Sequence, residues 1–342
     1  MGLVSFVGKK KINQQRIADL LSLSEQTNTY TNNGPVKSLL EKYLETLLKL
    51  PSDKKVFCFN NGTSALHALM FLVEQERGPM KWVTPSFTFP SSTVGGMFNV
   101  DILDIDPNTY TLPLNEELLR EYDAIILTNL FGSYVDIGEW ERFCVRTNKV
   151  LILDNASSPL STYEGDNICA RGHYAFGSLH HTKYLGFGEG GFAVVPHSQY
   201  NKIQSVSAFG YDDEKNFNPN SSNYKLSDVS AAYILSHLES YDIPKHLKNQ
   251  RRLVDHLASN NKVKVFNYKP GTVYGNLPII CKNPEKLEEY QSAGVQVLRY
   301  YKPLANHSGS WGLYEQMLNF PLYAELENED LTSVLSLLEK IK

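Results

Sequence analysis

A lysine in an apolar, glycine-rich stretch is the first residue of this sequence with an evident chemical use. Lys183 follows Ser178 by five residues and precedes the glycine-rich run Gly186–Gly191. An apolar setting lowers the pKa of a lysine amine toward neutrality, which suits Schiff-base chemistry with a carbonyl compound. The alternative interpretation is a surface turn with a solvated lysine.

Other chemistries fit the same stretch less well. A phosphate-binding P-loop needs its lysine after the glycines, and here the order is reversed. A dinucleotide fingerprint should open a helix in an early βαβ unit, which Gly186-Phe187-Gly188 does not do. His180 and His181 are adjacent, so their rings cannot share one face of a helix or strand as metal ligands usually do. The pattern therefore predicts no metal site.

A carboxylate follows the most apolar strand candidate. Asp154 comes directly after Val150–Leu153, and open α/β folds bind ligands at the carboxyl ends of such strands. The alternative is that Asp154 caps a helix.

A third element follows the strand candidate Val56–Phe59. Gly62, Thr63 and Ser64 open a helical pattern, and free amides at a positive helix end together with two hydroxyls make an anion site. The alternative is a simple N-cap. A helix start that can bind an anion, a strand-end carboxylate and a lysine in an apolar setting follow one another along the chain, and together they are more specific than any one of them alone.

The elements that position these residues alternate in type. Short β-rich runs separated by amphipathic stretches predict βαβ units, a mostly parallel sheet and an α/β fold. The strand candidates are Val56–Phe59, Lys81–Thr84, Val100–Leu103, Ala124–Leu127, Val150–Leu153, Tyr174–Gly177 and Phe192–Val195. Further along, helices are predicted at Asp228 to about Tyr241, Leu247–Ser259 and Leu331–Ile341, with short strands near Val263–Phe266 and Val273–Ile280. We place a boundary near residue 240, giving a large domain over 1–240 and a small C-terminal α/β domain over 241–342.

Composition excludes several classes of function. The 342 residues carry 33 Lys+Arg against 37 Asp+Glu, a net charge of −4, whereas nucleic-acid binders normally show a basic face. No apolar run approaches the roughly 20 residues of a membrane span, and the N-terminus has its charges after its apolar stretch, the reverse of a signal peptide. Four scattered cysteines indicate neither a disulfide framework nor a zinc site. We expect a cytoplasmic enzyme that binds neither nucleic acid nor membrane.

Taken in order, these motifs resemble a fold type I pyridoxal-phosphate enzyme, and more narrowly the sugar-nucleotide aminotransferase (DegT/DnrJ) family. The resemblance extends from about Asn32 to about Leu322. Its motifs are Asn33-Gly34-Pro35, Asn61–Leu66, Pro85–Phe89, Asp104-Ile105-Asp106, Asn129–Gly132, Ser178–Gly191 and Asn223–Ala232. It implies a large domain with a mostly parallel seven-stranded sheet flanked by helices, pyridoxal 5′-phosphate as cofactor, and a homodimer with shared active sites.

The resemblance also implies roles for individual residues. Lys183 would bind the cofactor covalently and move the proton, and Asp154 would pair with the pyridine nitrogen. Phe89 would stack on the ring, although a core aromatic gives the same pattern. The remaining cofactor contacts would come from Gly62, Thr63, Ser64 and Ser178 around the phosphate, from Ser157, and from Asn223 of the neighbouring subunit. The candidate substrate contacts are His180, Tyr224 and Lys225.

Two positions depart from the family pattern. Ser157 stands three residues after the aspartate, where the family has Gln or His, so its hydroxyl or a water would take over that contact. Leu179 replaces a phenylalanine, a tolerable apolar exchange. Relatives that dehydrate their substrate have histidine in place of Lys183, so the lysine favours transamination.

The resemblance implies amino transfer from glutamate to a nucleotide-linked keto-deoxysugar, with C4 of dTDP-4-keto-6-deoxyglucose as the substrate position. A 3-aminotransferase on a 3-keto sugar is the alternative, and a non-catalytic protein that only binds the cofactor is the alternative of another class. No motif selects the group that binds the donor carboxylate, for which Arg251, Arg252 and Arg299 are candidates.

Overall fold

A computed structural model describes residues 2–157, 159–212, 214–258, 263–282, 284 and 287–341. Its centre is a seven-stranded sheet in the order β1-β9-β8-β5-β4-β2-β3. The strands of the chain are β1 Lys54–Phe59, β2 Lys81–Pro85, β3 Asn99–Leu103, β4 Ala124–Thr128, β5 Val150–Asp154, β6 Thr162–Tyr163, β7 Asp166–Asn167, β8 Tyr174–Ser178, β9 Gly191–Pro196, β10 Val263–Val265, β11 Leu277–Cys281 and β12 Met317–Phe320.

The sheet is mostly parallel, as predicted. Strands β3, β2, β4, β5 and β8 pair in parallel, and β9 runs antiparallel between β8 and β1. β1 therefore points the same way as β8. The carboxyl ends of β1, β4, β5 and β8 consequently meet at one edge of the sheet, which brings together the residues that follow them.

Helices cover both faces of the sheet. They are α1 Gln14–Thr27, α2 Pro35–Leu47, α3 Gly62–Arg77, α4 Ile137–Arg146, α5 Tyr200–Ser207, α6 Asp228–Ser240, α7 Ile243–Ala258, α8 Leu287–Ser292, α9 Ser308–Gln316 and α10 Asn328–Lys340. One core joins the sheet to α1, α2, α4 and α6, and another joins it to α3 and α5. Within the described ranges, none of these helices is both long and apolar enough to cross a membrane.

A further core lies in the C-terminal part. β10, β11 and β12 form an antiparallel sheet, and its core includes residues of α7 and α10. The N-terminus also contributes, since Val4 is buried in this core and bridges to Val295. Residue 259, predicted to end a helix, lies outside the described residues. The domain division at residue 240 stays a prediction.

The buried carboxylate of Asp228 ties the N-terminal helices to α6. It accepts hydrogen bonds from the Ser24 hydroxyl at 2.6 Å and from the Val36 and Lys37 amides at 3.0 and 2.9 Å. The two amides belong to the first turn of α2, whose unpaired N–H groups need such an acceptor. Gly34 leaves room for the carboxylate, because a Cβ there would lie 2.3 Å from an Asp228 oxygen. This contact explains the Asn33-Gly34-Pro35 motif.

Replacing Asp228 by alanine should lower the free energy of unfolding by about 2–4 kcal/mol, because the cap is lost and buried donors become unsatisfied. Chemical denaturation followed by circular dichroism measures the change. The matched control is Asp242→Ala, which removes an exposed cap bonded to the Lys245 amide and should cost only about 1 kcal/mol. Equal losses for the two variants would show that Asp228 has no special role.

Candidate active site

The strand ends β4, β5 and β8, together with the start of α3, enclose a cavity of about 550 Å³. Of the residues predicted to act, nine line it: Gly62, Thr63, Ser64, Phe89, Asp154, Ser157, Ser178, His180 and Lys183. They come from segments more than a hundred residues apart in sequence. These nine residues therefore face one cavity within one chain.

Asp154 ends β5, and the residue is only 3% exposed. One oxygen accepts from the Ala156 amide at 2.9 Å, and the other has the Thr128 hydroxyl at 3.5 Å. Burial raises the pKa of this carboxyl to about 6, against the opposing effects of the Ala156 amide and of Lys183. A buried carboxylate with one weakly satisfied oxygen favours a cationic N–H partner.

Lys183 lies on the cavity wall in the turn that follows β8. Burial lowers the pKa of its amine, and the charge of Asp154 opposes that shift. Within the described ranges its side-chain amine forms no hydrogen bond. A desolvated amine of this kind is nucleophilic and can give up and take back a proton.

The start of α3 lies against the ends of β8 and β9. Asn61 caps the helix by accepting from the Ser64 amide at 2.8 Å, which leaves Gly62 and Thr63 in the first turn at the positive end of a 16-residue helix. A Cβ at Gly191 would lie 2.4 Å from the backbone of Asn61 and Gly62. Ser178, at the end of β8, completes a cradle suited to a phosphate group.

These features fit pyridoxal phosphate. The cradle at α3 suits its phosphate, the underbonded Asp154 oxygen suits its protonated ring nitrogen, and the unpaired amine of Lys183 suits its aldehyde. All three features face one cavity. The donor set therefore matches the phosphate, the ring nitrogen and the aldehyde of that cofactor.

An aromatic side chain from the C-terminal part fills the space beside Ser157. The Tyr301 hydroxyl lies 2.9 Å from the Ser157 Oγ, and its ring stacks on Phe131 at 5.3 Å and an interplanar angle of 6°. Phe89, with 54% of its surface exposed, meets the same ring edge-on at 6.1 Å. Burial raises the pKa of Tyr301 to about 12, so it stays a hydrogen-bond donor at neutral pH.

His180 lies at the cavity's rim. Its ring bonds to the Thr182 hydroxyl at 2.9 Å and lies 3.5 Å from a Glu189 oxygen. Both partners also line the cavity. Each ring nitrogen of His180 thus has a neighbour on the cavity wall.

Three predicted residues lie outside the cavity wall of this chain. Tyr224 is buried against His67, with 6.4 Å between the ring centroids. Asn223 is exposed and accepts from the Lys225 amine at 2.6 Å. The Lys225 amine lies 4.3 Å from the centre of the Phe209 ring. Their roles in binding stay predictions.

The arginines considered for the donor carboxylate do not line the cavity either. Arg251 and Arg252 are exposed on α7. Arg299 donates to the Met317 carbonyl at 3.2 Å and lies over the ring of Tyr314. None of the three is among the described residues of the cavity wall.

Sequence reasoning missed several residues of the site. Thr128 ends β4 and bonds to the Thr88 hydroxyl at 2.7 Å, and the strand-end rule that selected Asp154 would also have selected it. Tyr301, His237 and Lys10 also line the cavity. No local spacing marks these three, because they reach the site only through tertiary packing.

Comparisons with known proteins find relatives over nearly the whole chain. A dTDP-4-amino-4,6-dideoxy-D-glucose transaminase from Shigella dysenteriae is 27% identical, the match covering 94% of each chain. Among solved structures, an aminotransferase from Brucella abortus has a TM-score of 0.80 at 23% identity, covering 95% of each chain. The sugar aminotransferase CalS13 from Micromonospora echinospora has a TM-score of 0.82 at 18% identity, covering 98% of this chain and 99% of its own.

Fold and site together define an aminotransferase that uses pyridoxal phosphate. The model of the DegT/DnrJ/EryC1/StrS aminotransferase family matches residues 11–339, and the chain belongs to this family. The predictions of family, fold and cofactor are thereby confirmed.

Proposed function

We propose that the protein transfers an amino group from glutamate to a nucleotide-linked keto-deoxysugar, and specifically to C4 of dTDP-4-keto-6-deoxyglucose. The observation that carries the proposal is the joint placement of Lys183, Asp154 and the α3 cradle around one cavity. Family membership supports amino transfer. The Shigella transaminase supports the sugar and the position, and a transaminase of the same name from Escherichia coli is 22% identical over 90% of this chain.

Each of these residues has its own role in the transfer. When bound, pyridoxal phosphate supplies an aldehyde that accepts the amine and a ring that stores the electrons of a broken C–H bond. Lys183 takes the proton from the donor's Cα and later delivers one to the former keto carbon of the sugar. Asp154 keeps a positive charge on the ring nitrogen, and Gly62, Thr63, Ser64 and Ser178 hold the phosphate.

Ser157 and Tyr301 together make the cofactor contact that the family pattern assigns to the position of Ser157. Serine is shorter than the Gln or His of the family pattern, and the tyrosine hydroxyl bonded to it extends its reach. Phe89 and Tyr301 give the cavity an aromatic wall against which a flat ring can pack.

Two experiments test the proposal. Incubation with glutamate should remove the visible absorption band of the bound cofactor, whereas a protein that only binds the cofactor would keep it. Mass spectrometry after incubation with 4-keto and 3-keto sugar nucleotides should show a mass change from C=O to CH–NH₂ in the 4-keto compound. Amination of the 3-keto compound alone would establish the alternative regiochemistry.

We infer that the enzyme is a homodimer in which Asn223 and Lys225 complete the partner's site. Both lie outside the cavity of their own chain, on a segment that exposes three large apolar side chains, namely Phe209, Tyr211 and Phe217. Clustered exposed aromatics mark interaction surfaces, and Lys225 would bring positive charge to the substrate's phosphates. Analytical ultracentrifugation tests the dimer.

Replacing Asn223 by alanine should speed cofactor loss about tenfold, the effect of removing one hydrogen bond to an anion. The release rate is measured by absorbance after dilution. Asn220→Ala alters an exposed asparagine of the same segment and should leave the rate unchanged. A rate for Asn223→Ala equal to that of the control would refute the shared site.

A further inference from the structure

The N-terminal segment crosses the mouth of the cavity and places Lys10 in its wall. Val4 pairs with the Gly294–Gln296 turn through two backbone hydrogen bonds of 2.9 Å. The Asn13 amide donates to the Ser236 hydroxyl at 2.8 Å on α6. The segment is therefore held at both ends, and residues Phe6 to Lys10 between them line the cavity.

The Lys10 amine is directed toward the reactive centre. It donates to the main-chain carbonyl of Lys183 at 2.5 Å. An ammonium group has three donors, and this contact uses one of them. Burial lowers the pKa of Lys10 to about 8, against the opposing charge of Glu325. Lys10 is thus a largely protonated, partly dehydrated cation next to the residue that holds the cofactor.

The acidic residues of the cavity wall already have basic neighbours. Asp154 faces Lys183, Glu189 lies 3.5 Å from His180, and Glu325 lies 3.4 Å from the Lys11 amine.

Lys10 differs from these groups. Within the described ranges, no carboxylate oxygen lies within 4.0 Å of its amine. A cation removed from bulk water without a carboxylate in contact favours an anionic ligand.

We propose that Lys10 binds the carboxylate of the amino donor. This inference rests on the proposed function. The donor's carboxylate is attached to the carbon whose amine reacts, so its binding group must lie close to Lys183. The three arginines considered from sequence are absent from the described cavity wall. The carboxylate would join the two remaining donors of the Lys10 ammonium.

The test uses the holoenzyme and separates the two half-reactions. Lys10→Met should raise the glutamate concentration for half-maximal loss of the cofactor band by about 10- to 100-fold, the effect of one charge-assisted hydrogen bond. The concentration of keto-sugar nucleotide for half-maximal reaction in the second half-reaction should change less than twofold. The control is Lys202→Met, a surface lysine with 57% of its side chain exposed that pairs with Glu76 outside the cavity wall, which should behave as wild type.

Equilibrium binding provides a readout independent of turnover. Calorimetry with glutarate, a dicarboxylate without an amine, should show the same 10- to 100-fold weakening in Lys10→Met, whereas Lys10→Arg, which keeps the charge, should stay within threefold of wild type. If Lys10→Met does not fold, Lys10→Gln replaces it.

The outcomes are distinct. Unchanged glutarate and glutamate binding overturns the proposal. If Lys10→Met raises the concentration of sugar nucleotide for half-maximal reaction and leaves that of glutamate unchanged, the proposal is also overturned. Lys10 is then assigned to the pyrophosphate. Failure of the wild type to react with glutamate refutes the proposed function, and the glutarate comparison still tests Lys10.

Discussion

Replacing Lys183 by alanine should abolish the visible absorption band of the bound cofactor and lower turnover by about 10³-fold or more. Lys183 is the amine on the cavity wall that can both bind the aldehyde and carry the proton, and proton transfer by a positioned group alone contributes about 10²–10⁴-fold. Absorbance of the purified protein and product formation by mass spectrometry measure the two effects.

The control for Lys183 is another lysine outside the cavity. Lys202→Ala removes an amine that pairs with Glu76 on the surface and should leave both readouts unchanged. Thermal melting of Lys183→Ala should match that of the wild type without cofactor, because the amine forms no hydrogen bond within the described part of the chain. Substantial turnover by a correctly folded Lys183→Ala protein would contradict the assigned role.

Replacing Asp154 by asparagine should lower turnover about 10²-fold or more. The side chain keeps its size and loses the charge proposed to hold the ring nitrogen protonated, and removal of one preorganised electrostatic group costs about this much. Single-turnover loss of the cofactor band with glutamate measures the effect. Thr128→Val, which removes the 3.5 Å hydroxyl contact to the carboxylate, should have a much smaller effect.

Asp154 should also make cofactor binding depend on pH. Burial raises the pKa of its carboxyl to about 6 before any cofactor is bound, so the group is ionised at pH 7.5 and mostly protonated at pH 5. Cofactor affinity of the wild type should therefore fall as the pH drops through 6. Asp154→Asn should lose this part of the pH dependence and retain the parts due to the Lys183 amine and to the cofactor's own phosphate, and identical profiles for the two proteins would contradict the charge pairing.

The large sheet could be predicted from sequence because each strand is a short apolar run between turn residues. All seven strand candidates occur, with ends shifted by at most two residues. Helices α1 and α2 were not predicted. Their position depends on the distant contact between Asp228 and the first turn of α2, which no local pattern reveals.

The residues of the site also differ in whether the local sequence reveals them. Residues that follow strands directly, such as Asp154 and Ser178, could be located from the chain alone, because the sheet fixes where strand ends meet. Tyr301 and Lys10 could not, since one arrives from the C-terminal part and the other from the N-terminal segment. Asn223 and Lys225 came from family resemblance; neither is among the described residues of the cavity wall of this chain, and their role in a second subunit stays a proposal.

The contact between Gly191 and the start of α3 limits how this sequence can vary. Any side chain at Gly191 would displace the backbone of Asn61 and Gly62, which is the backbone proposed to hold the cofactor's phosphate. Two segments about 130 residues apart are therefore constrained as a unit over evolution. In a relative that lost this glycine, we expect the backbone at the start of α3 to differ as well. Gly191 and the start of α3 together therefore distinguish relatives that bind the cofactor from relatives that have kept only the fold.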